Sequence, residues 1–245
     1  MTVLADEFVN RIIAQIEVVK AQEQGSIGTA AEWIAEVIAQ GGLVHLFGCG
    51  HSHLLVEDLF YRAGGMVPVN AIFETSVMLH EGAVKSSKIE RMQGYAEHIL
   101  DNYTVVPGEV MIIISNSGIN SLPVEMAQAA KAKGLKVIAL CSSSYFTDPP
   151  RHPSGVRLAE IADLVIDNHL PHGDALVQIP SSTMKMSSGS TVVGSVILNM
   201  VMAGAAEKLV ERGIEPPVFV SGNIPGGAER NLGYIEQYRS RIKHL

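Results

Sequence analysis

The chain has 245 residues, of which 47% are hydrophobic and 18% charged, a composition typical of a folded globular protein and not of a disordered one. It carries 18 Lys and Arg against 25 Asp and Glu, and this net charge of −7 disfavours nucleic acid as a partner. With 2 cysteines it has no disulfide framework, and its first residues lack the pattern of a signal peptide. The apolar stretch at 192–206 contains polar residues and predicts a buried helix rather than a membrane span. We therefore expect a cytoplasmic protein that binds neither nucleic acid nor membrane.

The first predicted elements are helices at 4–23 and 29–40, because apolar side chains recur there at the spacing of one helix face. Short apolar runs then predict buried strands, and longer periodic segments between and after them predict more helices. The predicted strands are residues 43–47, 66–69, 110–114, 137–140 and 164–166. The later helices are predicted at residues 54–63, 89–100, 122–132 and 191–211.

Buried strands that alternate with helices indicate an α/β fold, in which helices cover both faces of a parallel sheet. We therefore predict a three-layer arrangement with an amino-terminal helical arm. No linker or internal repeat divides the sequence, so we predict a single domain over residues 1–245. Its core spans about residues 31–212, with the first helices in 4–40 and a tail and last helix in 213–245.

Polar turns follow three of the predicted strands, at residues 48–52, 115–121 and 142–144. Ligands of open parallel sheets bind beyond the carboxyl ends of the strands, where these turns lie. Each turn offers hydroxyls and unpaired N–H groups at the start of a helix, which is the chemistry of an anion site. Ser, Asn and Gly are also ordinary turn and capping residues, so any one turn alone also fits a purely structural role.

Two nucleotide-binding patterns are disfavoured. Gly48 and Gly50 form the start of a dinucleotide motif, but the third glycine position is His53, and no acidic residue follows the second strand near Asn70. The Gly-Lys-Ser/Thr of a phosphate-binding P-loop is absent from the sequence. We therefore expect no cofactor.

The turn Gly48-Cys49-Gly50-His51-Ser52 after one strand and Ser115-Asn116-Ser117-Gly118-Ile119-Asn120 after another resemble the sugar isomerase (SIS) domain. The resemblance covers about residues 31–212, and the whole chain resembles a phosphoheptose-isomerase-like subfamily. It implies a flavodoxin-like or Rossmann-like architecture and a phosphorylated sugar as ligand. The family also includes etherases and the sensor domains of regulators, and it often has Ser or Thr at the position of Asn120.

The resemblance implies that the sugar phosphate contacts the turns after the first and third strands, the 142–144 loop and the start of the last long helix. Residues 145–155 contain three prolines and are predicted to be an irregular segment that acts as a lid or as a plain surface loop. Lys185 is a candidate to neutralise the phosphate, whereas Ser190 and Thr191 are assigned to helix capping. The implied contact residues are Gly50, Ser52, Ser115, Asn116, Ser117, Asn120, Ser142, Ser187 and Ser188.

Aldose–ketose isomerisation needs a base at a C–H bond and a second group that transfers the hydroxyl proton. Glu74 follows the second predicted strand and resembles the glutamate that phosphoheptose isomerases take from a comparable region. The candidate partners are His80, in the same segment, and His172, in the loop after the last predicted strand. His169 is an alternative to His172, and Asp174 is expected to orient His172. A solvated carboxylate and exposed loop histidines are the structural alternatives.

No metal is expected, because His51 and His53 do not share a helix face and no acidic or thiol ligand completes a zinc set. Cys49 is expected to be a small turn residue rather than a reactive thiol. The resemblance implies a homodimer or homotetramer, since SIS proteins generally oligomerise. Polar residues of the tail are predicted to complete a site or an interface: Asn223, Glu229 and Asn231.

These observations favour a phosphosugar-binding protein that isomerises a sugar phosphate, without cofactor or metal. Two alternatives fit the same residues. One is a non-catalytic phosphosugar-binding module, since this fold also serves in sensors and a fold does not fix a function. The other is a lyase or etherase that acts on an amino-sugar phosphate.

Overall fold

A five-stranded parallel sheet forms the centre of the protein. The structure, a computed structural model, describes residues 2–245. The strands of the sheet are β1 (Val44–Gly48), β2 (Val69–Ala71), β3 (Val110–Ile114), β4 (Lys136–Cys141) and β5 (Leu164–Asp167). They lie in the order β2-β1-β3-β4-β5, and each neighbouring pair is parallel. The predicted parallel α/β fold is therefore confirmed.

Helices precede, connect and follow these strands. They are α1 (Val3–Gln22), α2 (Gln24–Ala39), α3 (His53–Leu59), α4 (Ala83–Ile89), α5 (Ala96–Leu100), α6 (Ser121–Ala132), α7 (Leu158–Ile161), α8 (Ser190–Glu211) and α9 (Gly227–Tyr238). A separate antiparallel hairpin, β6 (Ala175–Gln178) and β7 (Lys185–Ser188), comes before α8.

Successive strand residues enter two apolar cores, one on each face of the sheet, as the pleat of a strand requires. On β3, Ile112 and Ile114 pack in the core that contains α2, α3 and α8. Their neighbours Met111 and Ile113 pack in the core that contains α5, α6 and α7. The sheet is thus covered on both faces, which explains why its strands are continuous apolar runs in the sequence.

The helix α8 is the one helix within residues 2–245 that is long and apolar enough to cross a membrane. Its buried side chains, among them Val193, Ile197 and Val201, belong to the core shared with α2. Buried core helices of soluble proteins are often as long and as apolar as a membrane span. The prediction that this helix is buried is confirmed for the side of α8 that carries these residues. On the other side of the helix, Val192 and Val210 are exposed.

Several elements differ from those predicted: α2 begins at residue 24 rather than 29, α3 ends at residue 59 rather than 63, and α7 was not predicted. Met66 forms a bridge with Val218 of the tail instead of pairing with β1, so β2 begins only at residue 69. The single helix predicted at 89–100 is replaced by α4 and α5, because Gly94 adopts a φ of +76° between them. The β6–β7 hairpin was not predicted, since the sequence of β7, Lys-Met-Ser-Ser, is mostly exposed and lacks an apolar run.

The carboxyl-terminal tail packs against the β2 edge of the sheet. Phe219 N donates to Gly65 O (3.0 Å), and Val67 N donates to Pro217 O (2.8 Å). Asn231 holds this segment with both ends of its amide, since Oδ1 accepts from Val220 N (3.1 Å) and Nδ2 donates to Val220 O (2.8 Å). The structure thus gives Asn231 a structural role, and a role for the exposed Asn223 and Glu229 in a site or interface stays a prediction.

Candidate functional site

The strand order creates a switch point between β1 and β3, from which the chain connections leave in opposite directions along the sheet. Ligands of open α/β sheets bind outside the carboxyl ends of the strands at such a point. The turns after β1 and β3 carry the predicted phosphosugar contacts, so the topology brings the two predicted turns together.

A narrow cleft at this point is lined by both neutral polar and apolar side chains. Ser52 comes from the turn after β1, Asn116 from the turn after β3, and Asn168 from the turn after β5. The first turn of α8 contributes Ser190 and Thr191. The remaining lining residues are His51, Leu55, Ile114 and Leu140.

Hydrogen bonds fix the two asparagines of the cleft. Asn168 Nδ2 donates to Asn116 Oδ1 (2.8 Å), and Asn168 Oδ1 accepts from Leu170 N (3.0 Å). The acceptor end of the Asn116 amide is therefore occupied, and its Nδ2 is left to donate to a ligand. Gln15 of the α1 arm supports the same turn, because its Nε2 donates to Asn168 O (2.8 Å).

The turn after β3 presents unpaired backbone donors. Gly118 has a φ of +63°, which favours glycine, and its N–H donates to Ser115 Oγ (3.2 Å). Within residues 2–245, the N–H groups of Ser117, Ile119 and Asn120 bond no protein acceptor. Unpaired N–H groups at the start of a helix attract anions, so the 115–120 turn retains the chemistry predicted for it.

The Asn120 side chain is already engaged on both sides. Its Nδ2 donates to Glu90 Oε1 (2.8 Å), and its Oδ1 accepts from Arg151 Nη1 (2.6 Å). Burial raises the pKa of Glu90, although the hydrogen bond from Asn120 opposes that effect. Asn120 thus connects the end of α4 to the 145–155 segment.

Of the nine predicted contacts, Ser52 and Asn116 line the cleft, whereas Gly50, Asn120 and five serines lie outside its lining: Ser115, Ser117, Ser142, Ser187 and Ser188. Ser142 is fully buried, and its Oγ donates to Leu170 O (2.6 Å). Ser187 and Ser188 lie on β7, where Ser188 pairs with Ala175. The hairpin displaces them because α8 begins only at residue 190. A contact between Ser142, Ser187 or Ser188 and a ligand stays a prediction. Ser190 and Thr191 line the cleft at the start of α8, where Ser187 and Ser188 were expected.

A carboxylate already occupies the positive end of α8. Asp174 Oδ1 accepts from Gly189 N (3.1 Å) and Ser190 N (2.8 Å), and Oδ2 accepts from Ser190 Oγ (2.6 Å). The expectation that Asp174 orients His172 is therefore wrong, since both oxygens of Asp174 cap the helix. A second anion is disfavoured at this helix end, whereas the start of α6 carries no carboxylate cap.

Among the candidate histidines, His172 pairs instead with Asp148, at 2.9 Å from Nε2 to Oδ2, and its ring lies 4.4 Å from that of Tyr145. His169 bonds Glu23, with 2.8 Å between Nε2 and Oε1, and thereby joins the α1–α2 junction to the turn after β5. His80 is exposed. The structure thus gives His172 a surface pairing and His169 a largely buried one, and a catalytic role for His80 or His172 stays a prediction.

Glu74 lies just beyond β2 and is anchored through one oxygen. Its Oε1 accepts from Ser76 Oγ (2.6 Å), Ser76 N (3.2 Å) and Tyr95 OH (2.9 Å). These bonds hold the carboxylate in one orientation and leave Oε2 to accept a proton. Glu74 thus caps the short helical turn at residues 75–77, as the helix-terminal alternative requires, and its role as a base stays a prediction.

The structure does not provide a preformed metal centre, since residues 2–245 contain no cluster of three or more His, Cys, Asp or Glu placed to hold an ion. The His53 ring is buried, and that burial lowers its pKa. Burial raises the pKa of Cys49 well above its usual range, and the charge of Glu90 adds to this effect. Cys49 is thus a protonated turn residue at neutral pH.

Four polar lining residues were not among the predicted contacts: His51, Asn168, Ser190 and Thr191. Asn168 follows β5 directly, so the rule that selected the other turns also selects this residue. His51 lies between two predicted contacts. Ser190 and Thr191 were not predicted as contacts because they were assigned to capping of the last long helix. In the structure Asp174, which is distant from them in the sequence, caps that helix instead.

Comparisons with known proteins agree with this architecture. The SIS domain matches residues 7–142. The UPF0309 protein GK1441 of Geobacillus kaustophilus is 45% identical over 243 residues, which covers 99% of this chain and 97% of that protein. The UPF0309 protein TTE0306 of Caldanaerobacter subterraneus subsp. tengcongensis is also 45% identical, over 246 residues, covering 99% of this chain and 100% of that protein.

Solved structures with low sequence identity share the fold. A phosphoheptose isomerase from Francisella tularensis has a TM-score of 0.55 at 16% identity, covering 84% of this chain and 100% of that one. E. coli CFT073 c3406 in complex with A5P has a TM-score of 0.53 at 19% identity, covering 94% and 95%. The Vibrio vulnificus NanR protein complexed with ManNAc-6P has a TM-score of 0.52 at 13% identity, covering 85% and 64%. The matched domain and the full-length relatives together place this chain in the SIS domain family, among its UPF0309 proteins.

Proposed function

We propose that this protein binds a sugar phosphate beside the cleft, across the turns that follow β1 and β3, and isomerises it between its aldose and ketose forms. The cleft at the β1–β3 switch point carries the proposal, because neutral donors such as Ser52 and Asn116 lie beside the unpaired N–H groups of the 115–120 turn. Such a set binds a phosphoryl group and sugar hydroxyls through hydrogen bonds. Two proteins of similar fold, solved in complex with A5P and with ManNAc-6P, support this class of ligand.

The phosphoryl group is assigned to the start of α6 rather than to the start of α8. Ser115, Ser117 and the N–H groups up to Asn120 would surround it there. At α8 the ligand would have to displace the Asp174 carboxylate from three hydrogen bonds. Ser52 and Gly50, in the neighbouring turn, would then contact the sugar.

Glu74 is the proposed carbon base. In an open-chain aldose phosphate, its free oxygen removes the proton from C2, and the electron pair forms the C1–C2 double bond of an enediolate. Return of that proton to C1 gives the ketose, while a second group moves the hydroxyl proton from O2 to O1. The candidates for that group are His80 and His172, as the sequence predicts.

The experiment is proton NMR in D2O with pentose, hexose and heptose phosphates, A5P among them. We expect deuterium at C1 or C2 of one sugar and the appearance of its aldose or ketose partner. Glu74→Gln should abolish exchange while binding stays within a few fold. Glu81→Gln, an exposed carboxylate of the same segment, is the matched control and should retain exchange. Exchange that survives in Glu74→Gln would remove Glu74 from the mechanism.

A non-catalytic phosphosugar-binding module is the second candidate. It is favoured by the placement of the histidines, since His80 is exposed and His172 pairs with Asp148 on the surface. The similarity to a NanR protein in complex with ManNAc-6P agrees with it. Line broadening of one sugar phosphate without any deuterium exchange would support this candidate against the isomerase.

A homodimer or homotetramer in the cytoplasm remains part of the proposal. Val192, Ala203 and Val210 of α8 are exposed on a side that also carries the exposed Asn199 and Glu207. A second copy of the chain that packs on this side would complete its burial.

A further inference from the structure

The segment at 145–155 is fastened to the 115–120 turn by Arg151. The backbone N–H of Arg151 donates to Ile119 O (2.9 Å), and its Nη1 donates to Asn120 Oδ1 (2.6 Å). A third bond, from Leu158 N to Gly118 O (2.9 Å), follows a few residues later. The proline-rich segment therefore lies against the turn that carries the unpaired N–H groups.

The orientation of the Asn120 side-chain amide determines which of its two ends faces Arg151. Glu90 Oε1 is an acceptor, so it takes the NH₂ end of the Asn120 amide, at 2.8 Å. The carbonyl end then faces Arg151 and accepts one of its five N–H donors. Arg151 is an exposed residue, so its other donors remain available to a ligand.

A phosphate monoester brings a charge of about −1.5 to −2 at pH 7, and this protein already carries a net charge of −7. Neutral donors line the cleft, and Lys185, the cation favoured by the sequence, lies on β7 beside a groove formed with α1. Within residues 2–245, Arg151 is the one lysine or arginine whose side chain bonds a residue of the 115–120 turn. Arginine also matches phosphate oxygens with two parallel N–H groups.

We propose that Arg151 binds the phosphoryl group of the ligand, and that Asn120 is a positioning residue that holds its guanidinium beside the 115–120 turn. This inference rests on the proposed function, since it names the cation of the same site. It changes the role of Asn120 from a ligand contact to a support for one. Glu90 fixes the Asn120 amide. Burial raises the pKa of Glu90, and the positive charge of Arg151 opposes that effect by favouring the ionised form.

The test measures binding of two probes, inorganic phosphate and A5P, by titration calorimetry at pH 7.5. For each probe that the wild type binds, Arg151→Gln should lower the affinity by about 10-fold or more, which is the loss expected for a charge-assisted hydrogen bond. Arg91→Gln removes the same charge from an exposed arginine next to Glu90 and should change the affinity less than 2-fold. Asn120→Ala should weaken binding in the wild type but not further in Arg151→Gln, whereas a merely structural role would give the same loss in both backgrounds.

The outcomes separate this inference from the proposed function. If A5P or another sugar phosphate binds the wild type and Arg151→Gln equally well, Arg151 is not the phosphate ligand and the function stands. If Arg151→Gln weakens phosphate binding but no sugar phosphate is isomerised, the inference stands and the isomerase proposal does not. If the wild type binds neither probe nor any sugar phosphate, both are overturned.

Discussion

Glu109 is a buried carboxylate at the end of the sheet opposite the cleft, and its replacement by glutamine should cost a large share of the stability. Its Oε1 accepts from Leu43 N (2.9 Å) and Arg241 Nη2 (2.7 Å), and its Oε2 accepts from His45 Nε2 and Val106 N (both 2.8 Å). Burial alone would raise the pKa of Glu109, but these bonds outweigh it and lower the pKa from 4.5 to about 2. That difference corresponds to about 3 kcal/mol of folding free energy.

The sign of the pH dependence follows from the lowered pKa. The unfolded chain protonates Glu109 as the pH falls through 4.5, whereas the folded chain keeps it ionised until about pH 2. The contribution of Glu109 is therefore complete at pH 7 and is lost progressively between these two values. Integration over that range leaves about 1 kcal/mol at pH 3.

Urea denaturation of the wild type and Glu109→Gln at pH 7 and pH 3 tests this reasoning. We expect the free energies of unfolding to differ by about 3 kcal/mol at pH 7 and by about 1 kcal/mol at pH 3. Glu215→Gln, an exposed carboxylate paired with Arg230, is the matched control and should change stability by less than about 1 kcal/mol. A difference that is the same at both pH values, or absent at pH 7, would refute the electrostatic account of Glu109.

Three further predictions concern packing, thiols and assembly. A Cβ on Gly194 of α8 would lie 2.6 Å from Leu55 Cδ1, so Gly194→Val should destabilise the protein by about 1–3 kcal/mol in thermal unfolding. Gly233→Ala, in α9 with nothing within 4 Å of the added atom, should not destabilise it. Burial raises the pKa of Cys141 to about 12 and that of Cys49 well above its usual range, so an aromatic disulfide reagent should label neither thiol at pH 8 until urea is added. Sedimentation equilibrium should give the mass of two or four chains, and a monomer at micromolar concentration would contradict the predicted assembly.

The sequence predicts the sheet best where both faces of a strand are buried. β3 begins and ends at the predicted residues, because each of its five side chains is apolar and buried. β2 is short and lies at the edge of the sheet. Met66, an apolar residue before it, pairs with Val218 of the carboxyl-terminal tail instead of with β1. The β6–β7 hairpin is held largely by backbone bonds, which leave no periodic apolar pattern in the sequence.

For the site, the sequence predicts which turns meet but not how their side chains pair. The rule that ligands bind beyond the carboxyl ends of parallel strands selects the turns of Ser52 and Asn116, which the structure brings together in one cleft. The strand order that makes these two turns neighbours was not predicted from the sequence. Pairings between side chains depend on distant residues instead. His172 meets Asp148 and not Asp174, which is nearer in sequence, because Asp174 adopts a φ of +64° and bonds the start of α8.

The order of the strands also constrains how a substrate would lie in the proposed site. Glu74 follows β2, Ser52 follows β1, and the 115–120 turn follows β3, so the proposed base and the phosphate position are two strands apart. Two strand spacings amount to about 10 Å, comparable to the reach of an extended sugar phosphate. Such a substrate would cross the turn after β1. Gly50, with a φ of +55°, shapes that turn, and a side chain on Gly48 would come within 2.7 Å of Ser52 O. Glycines at both positions therefore allow a tight turn. A bound sugar could lie across this turn, with its phosphate at the start of α6 and its other end near Glu74.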